Sequence, residues 1–132
     1  MKTYYSIFIV VIIFFISCYK NDGDITTDYR DKYIGSYNCH KVGSFWCNSS
    51  SIPIDTMEII DIIKNEDSSI IILNEKLKIS IDGKFGGRSH PTPNYRIFDG
   101  YFTDDSIYFD TYQGGLGCFT TLNYKGKKII KN

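Results

Sequence analysis

The chain has 132 residues with 15 Lys/Arg against 15 Asp/Glu, a balance that argues against a nucleic-acid surface, which carries a basic excess. It contains no alanine and four leucines, while Ile, Tyr and Phe dominate its apolar positions. Ala and Leu are the strongest helix formers and β-branched and aromatic residues suit pleated surfaces, so the composition favours an all-β domain over a helical one.

Lys2 is the only charge before Cys18, and residues 7–16 (IFIVVIIFFI) are all apolar, followed by Ser17 and Cys18. A basic start, a short apolar core and a small residue before a cut describe a signal peptide over residues 1–17. The stretch from Tyr4 to Ile16 covers about 20 Å as a helix, short of the ~30 Å hydrocarbon core, which disfavours a membrane-spanning segment. Phe15-Ile16-Ser17-Cys18 resembles a bacterial lipobox, with Phe15 where Leu is usual. The resemblance implies that Cys18 is the first mature residue and the lipid attachment site. Tyr19-Lys20-Asn21-Asp22-Gly23-Asp24 is similar to the Lys/Asp-containing export signal of surface lipoproteins in Bacteroidetes-type bacteria, through Lys20 and Asp22. A tri-acylated terminus exceeds the two signals stable anchoring needs. The implied protein is lipid-anchored in a bacterial envelope, at the periplasmic or surface face of the outer membrane. Residues 18–31 then form the lipidated cysteine and a polar tether, whose thirteen residues after Cys18 reach roughly 20 Å as random coil. Residues 32–132 form one small β domain, expected to be monomeric.

Within that domain, Asp28 to Lys32 suits a single helical turn with Asp28 as its cap. A first strand is predicted from about Tyr33 to His40, and Ser44 to Cys47 is predicted to pair back on it through a turn at Gly43. Met57 to Lys64 is an Ile-rich strand, and Ser69 to Leu73 follows a turn at "NEDS". Leu77, Ile79 and Ile81 alternate with polar residues, and Asp82-Gly83 reads as a hairpin turn. Tyr95 to Phe102 alternates, "TDDS" turns, and Ile107 to Tyr112 returns. Leu116 to Tyr124 and Lys127 to Ile130 close the chain around a turn at Lys125-Gly126. About eight short strands between turn signals point to a small antiparallel β-sandwich or barrel. Tyr33-Ile34-Gly35-Ser36-Tyr37 resembles the opening strand of lipocalin-like barrels, with Tyr37 where lipocalins carry Trp. Gly100-Tyr101-Phe102, Asp105 to Phe109, Gly114 to Gly117 and Tyr124 to Lys128 resemble the second half of small Bacteroidetes-type lipoproteins, a resemblance that implies a β domain in the envelope and no particular activity.

An exported domain meets oxidising conditions, so Cys39, Cys47 and Cys118 are disulfide candidates. Cys39–Cys47 across the predicted hairpin is the simplest pairing and would contribute about 2.6 kcal/mol in the chain-entropy picture; Cys39–Cys118 is its rival. Either leaves one thiol over. Cys39, His40 and Cys47 match no zinc spacing, and adjacent strand residues face opposite ways; neither a metal nor a cofactor is expected. No G-x-S-x-G occurs, and the chain reads as a non-enzyme. His90, with Arg88 and Ser89, lies in a Gly/Pro-bounded loop that could carry a site.

Aromatic residues give the best functional signal: eleven Tyr, nine Phe and one Trp. Phe45 and Trp46 are the ligand-binding candidates, since exposed rings stack on sugar faces and anchor interfaces. The expected role is a non-catalytic binding or accessory module for a glycan or protein partner, with a lipocalin-like carrier of a small apolar ligand as the alternative and a small hydrolase as the last. Asp55-Thr56-Met57 and Asp105-Ser106-Ile107 match the acceptor pattern of Bacteroidetes-type O-glycosylation, at Thr56 and Ser106. The second lies in a predicted turn and is expected to be accessible.

Overall fold

The computed structural model describes residues 27–89 and 95–130. Eight strands follow one another: β1 (Gly35–Cys47), β2 (Ser50–Lys64), β3 (Ser69–Ile72), β4 (Glu75–Ile79), β5 (Lys84–Ser89), β6 (Tyr95–Thr103), β7 (Ser106–Gly115) and β8 (Cys118–Lys128). Each pairs antiparallel with the next and β8 returns to β1, so the chain is an up-and-down closed barrel. The choice between sandwich and barrel thus falls to the barrel, which leaves no edge along its closed part.

Tight turns set this register. Asn48-Ser49 and Leu73-Asn74 join β1 to β2 and β3 to β4 with both residues at positive φ, the backbone of two-residue hairpins whose twist matches the strands. Leu116-Gly117 does the same between β7 and β8, and Asp104 opens the β6–β7 turn at φ 40°. Asp82-Gly83 and Asp104-Asp105 turn where the sequence predicts.

Two predicted turns are strand instead. Gly43 lies mid-β1, opposite Ile54 and Leu122, and a Cβ there would overlap the Thr121 carbonyl. Gly126 lies within β8, near its end, where a Cβ would collide with the Cys39 sulfur. Both glycines allow close approach inside a small barrel rather than chain reversal.

The barrel is unequal along its axis. β3, β4 and β5 have four to six residues against 13 and 15 in β1 and β2. β2 meets β3 only at Ile63↔Ile71 and Lys64↔Ile70. One end is therefore closed all round, while at the other β2, β1, β8, β7 and β6 run on as a curved sheet.

The closed end is packed solid. Tyr37, Cys39, Ile60, Ile62, Ile70, Ile72, Phe85, Phe102, Ile107, Phe109 and Tyr124 alternate inward and are buried. Phe109 stacks on Tyr124 at 4.3 Å, and the Tyr37 hydroxyl donates to the Tyr33 carbonyl at 2.9 Å. The turn at 28–33 caps this end. Asp28 accepts from the Arg30 amide at 3.0 Å, and buried Arg30 donates through Nη1 to the carbonyls of Asn65 and Ser69 at 2.6 and 2.8 Å. Tyr29 reaches the Ile79 carbonyl at 2.9 Å, and Lys64 pairs with Asp31.

Candidate functional site

Strand alternation divides the two aromatic residues singled out by the sequence. Trp46 points to the outer face of β1, where it is 42% exposed. Phe45 points the other way, directly opposite Ile52 of β2. They do not form one patch.

Trp46 instead belongs to a row of rings across four strands. It lies opposite Phe119 of β8, with ring centres 6.1 Å apart and planes 9° from parallel. Phe119 stacks on Tyr112 of β7 at 5.7 Å, and Tyr112 on Tyr95 of β6 at 5.2 Å. Gly114 makes the row continuous. It stands opposite both Phe119 and Tyr95, and the Tyr112 ring lies where its Cβ would be. The neighbouring Tyr95 phenol raises the Tyr112 phenol above its ordinary value. The Trp46 Nε1–H donates to Ser44 at 3.0 Å.

Beside the row runs an outer groove of about 350 Å³, with Val42, Ile97, Tyr112 and Thr121 along its apolar side and Asp99, Asp110 and Asn123 along its polar side. Asn123 donates to Asp110 at 2.6 Å, and Asp110 stands directly opposite Asp99 in the β6–β7 register. A second depression continues past these three residues to Tyr101 and Tyr108, stacked at 5.2 Å, with the Lys125 ammonium 5.6 Å from the Tyr108 ring centre. The outer face thus offers two stacking platforms separated by carboxylates and an amide, the groups that grip neutral polyhydroxylated rings.

The barrel mouth, on the inner face, carries two ion pairs. Lys41 meets Glu58 at 2.7 Å, and Arg96 meets Glu75 at 2.9 Å. Beneath them lies a cavity of about 210 Å³ with Arg96, Thr111 and Gln113 above Phe98, Leu122 and Tyr124.

The cysteines pair otherwise than the sequence predicts. Cys47 is bonded to Cys118, and Cys39 is free and buried. Cys39 and Cys47 lie on one continuous strand, eight residues and about 26 Å apart, so they cannot meet. Cys47 and Cys118 face each other in the β1–β8 register; the rival pairing Cys39–Cys118 joined the right two strands through the wrong cysteine of β1. Burial raises the Cys39 thiol to about 11. His40 points outward to Asp55 at 2.7 Å, on the face opposite Cys39. Among the described residues no three His, Cys, Asp or Glu side chains converge as a metal site.

Of the two glycosylation candidates, Thr56 is exposed on β2. Ser106 is a correction. It is the first residue of β7, 8% exposed, with its hydroxyl donating to Asp105 at 2.9 Å. Arg88 is exposed on β5. Cys18, the signal segment 1–17 and His90 lie outside the described residues.

Phe119, Asp99, Asp110, Asn123 and Arg96 were not singled out by sequence. One signal was present for Arg96: it shares the parity of Phe98 and Phe102, the inward side of an alternating strand. No family model, curated protein or solved structure matches the chain.

Proposed function

We propose that this protein is a non-catalytic carbohydrate-binding module, held at a bacterial outer membrane through lipid on Cys18. The outer-face row Trp46–Phe119–Tyr112–Tyr95, exposed at both ends and half-buried between, carries the binding part together with Asp99, Asp110 and Asn123 beside it. Pyranose C–H faces stack on rings of this kind, and hydroxyls hydrogen-bond to carboxylates and amides at their edge. A barrel wall presents these groups on a rigid sheet, so little ordering accompanies binding. The anchoring part rests on the lipobox-like Phe15-Ile16-Ser17-Cys18.

Trp46 is the sole tryptophan, so its fluorescence reports the site directly. Titration with neutral oligosaccharides chosen from a glycan array is expected to shift its emission saturably, and Trp46→Ala to abolish retention on the array. An array on which no glycan is retained refutes the binding part. For the anchor, the intact mass of protein from its native membrane is expected to correspond to a chain starting at acylated Cys18. An unacylated chain retaining Met1 would end that part of the reading.

A further inference from the structure

Two arginines of this domain engage carboxylates, and they do so differently. Arg30 uses its side-on edge: Nε and Nη2 donate to Asp28 at 2.9 and 2.6 Å, and Nη1 satisfies two carbonyls. This is the two-pronged geometry in which a guanidinium matches a carboxylate best. Among the described residues Arg96 is held to Glu75 through Nη1 alone. Its Nε is buried and has no hydrogen-bond partner among them. A buried donor left unmade is costly, and such groups are rare in folded proteins.

The surroundings of that nitrogen resemble a small binding site. Arg96 and Gln113 stand opposite each other on β6 and β7 and line the rim of the mouth cavity, whose floor is Phe98, Leu122 and Tyr124. The volume, about 210 Å³, lies below the ~300–1,000 Å³ of sites for drug-sized ligands, so the occupant is small. Among the described residues the four charges of the mouth, Lys41, Glu58, Glu75 and Arg96, are already paired two by two. An incoming group therefore competes for one free edge of a guanidinium rather than meeting a field of unpaired charge.

We propose that the barrel mouth binds a small monocarboxylate with an apolar body, its carboxylate on the Nε edge of Arg96 and Gln113, and its tail against Phe98, Leu122 and Tyr124. Arg96 then bridges two carboxylates, that of Glu75 on one side and that of the ligand on the other. This site lies on the inner face, opposite the outer groove, and does not depend on glycan binding there.

The test uses the full-length protein labelled with ¹⁵N-arginine, titrated with hexanoate and, as controls of equal length, hexanol and hexylamine. Hexanoate is expected to bind saturably and to shift the Arg96 Nε–H resonance, while neither control does. Arg96→Gln is expected to weaken hexanoate by about tenfold or more, the scale of losing a charged hydrogen-bond partner. Arg96→Lys, which keeps the charge but lacks the side-on edge, is expected to lose nearly as much. Glu75→Gln removes the competing carboxylate and is expected to bind hexanoate more tightly than wild type. Hexanol binding as well as hexanoate, an unmoved Nε–H signal at saturation, or no saturable binding by the folded wild-type protein would each overturn the proposal.

Discussion

At the closed end of the barrel the Arg30 side chain is 10% exposed and has three carbonyl or carboxylate groups around it. At the open end the Arg96 side chain is 37% exposed and, among the described residues, leaves one buried donor unmade. The same contrast runs through the aromatic residues: Tyr37, Phe109 and Tyr124 are buried in the closed half, with Phe109 stacked on Tyr124, whereas Trp46 and Tyr95 are partly exposed at the open half. Short β3, β4 and β5 create the difference, because only where all eight strands are present can inward side chains fill the section completely. The closed half provides the packing that holds the barrel together, and the open half carries groups whose geometry exceeds what packing needs.

Substitutions should separate the two ends sharply. Phe109→Ala, which hollows the closed half, is expected to cost about 3–5 kcal/mol in chemical denaturation. Cleaving Cys47–Cys118 comes next. Its cysteines are 71 positions apart, and a loop of that size corresponds to about 4 kcal/mol in the chain-entropy picture, with typical measured effects of about 2–4 kcal/mol. Denaturation with and without reductant gives that value, and hydrogen exchange should show the loss of protection greatest at Trp46 and Phe119, the neighbours of the two sulfurs.

Acid should act on the closed end. Arg30, by hydrogen bond and charge, holds the Asp28 carboxyl well below its ordinary range, and Lys76 and Ser69 hold Asp67 at about 2. An unfolded aspartate titrates near ~3.9, so the unfolded chain takes up protons first as pH falls. These groups therefore contribute stability fully above pH ~4, and it is lost as pH drops through their folded values. Melting temperature is expected to fall steeply below pH ~4, and less steeply in Asp67→Asn. In alkali the sign reverses. Cys39, raised by burial to about 11, contributes stability present below the ~8.5 of a free thiol and lost as pH rises through 11. Cys39 is expected to be unreactive toward a disulfide reagent in the native protein at pH 8, and reactive after unfolding. The smallest effect on stability belongs to Trp46→Ala, within about 0.5 kcal/mol as for other surface positions. A larger loss there would mean that the aromatic row is structural, and the contrast between the ends would blur.

Composition and alternation made the barrel's strands legible, because Ile, Tyr and Phe at every second position leave few other options. Turns with acidic residues at their corners, Asp82-Gly83 and Asp104-Asp105, were legible too. Gly43 and Gly126 were not, since a glycine that admits a neighbouring backbone or sulfur looks in sequence like one that reverses the chain. The same misplaced turn at Gly43 made Cys39 and Cys47 look adjacent. Trp46, Tyr95 and Tyr112 were each visible as aromatic strand residues, but their alignment depends on register across two hairpins and the β1–β8 seam, and on the gap left by Gly114. No single stretch of sequence encodes it.

The ring of strands also has a kinetic side. Seven of its eight pairings join neighbours in sequence through short connections, and such hairpins form within microseconds. The eighth, β1 with β8, joins residues as far apart as Tyr37 and Lys128, and a loop of that length must close before its contacts reward it. Barrel closure at this seam is thus the slow event, and a chain whose Cys47–Cys118 bond survives unfolding begins with the two seam strands already side by side.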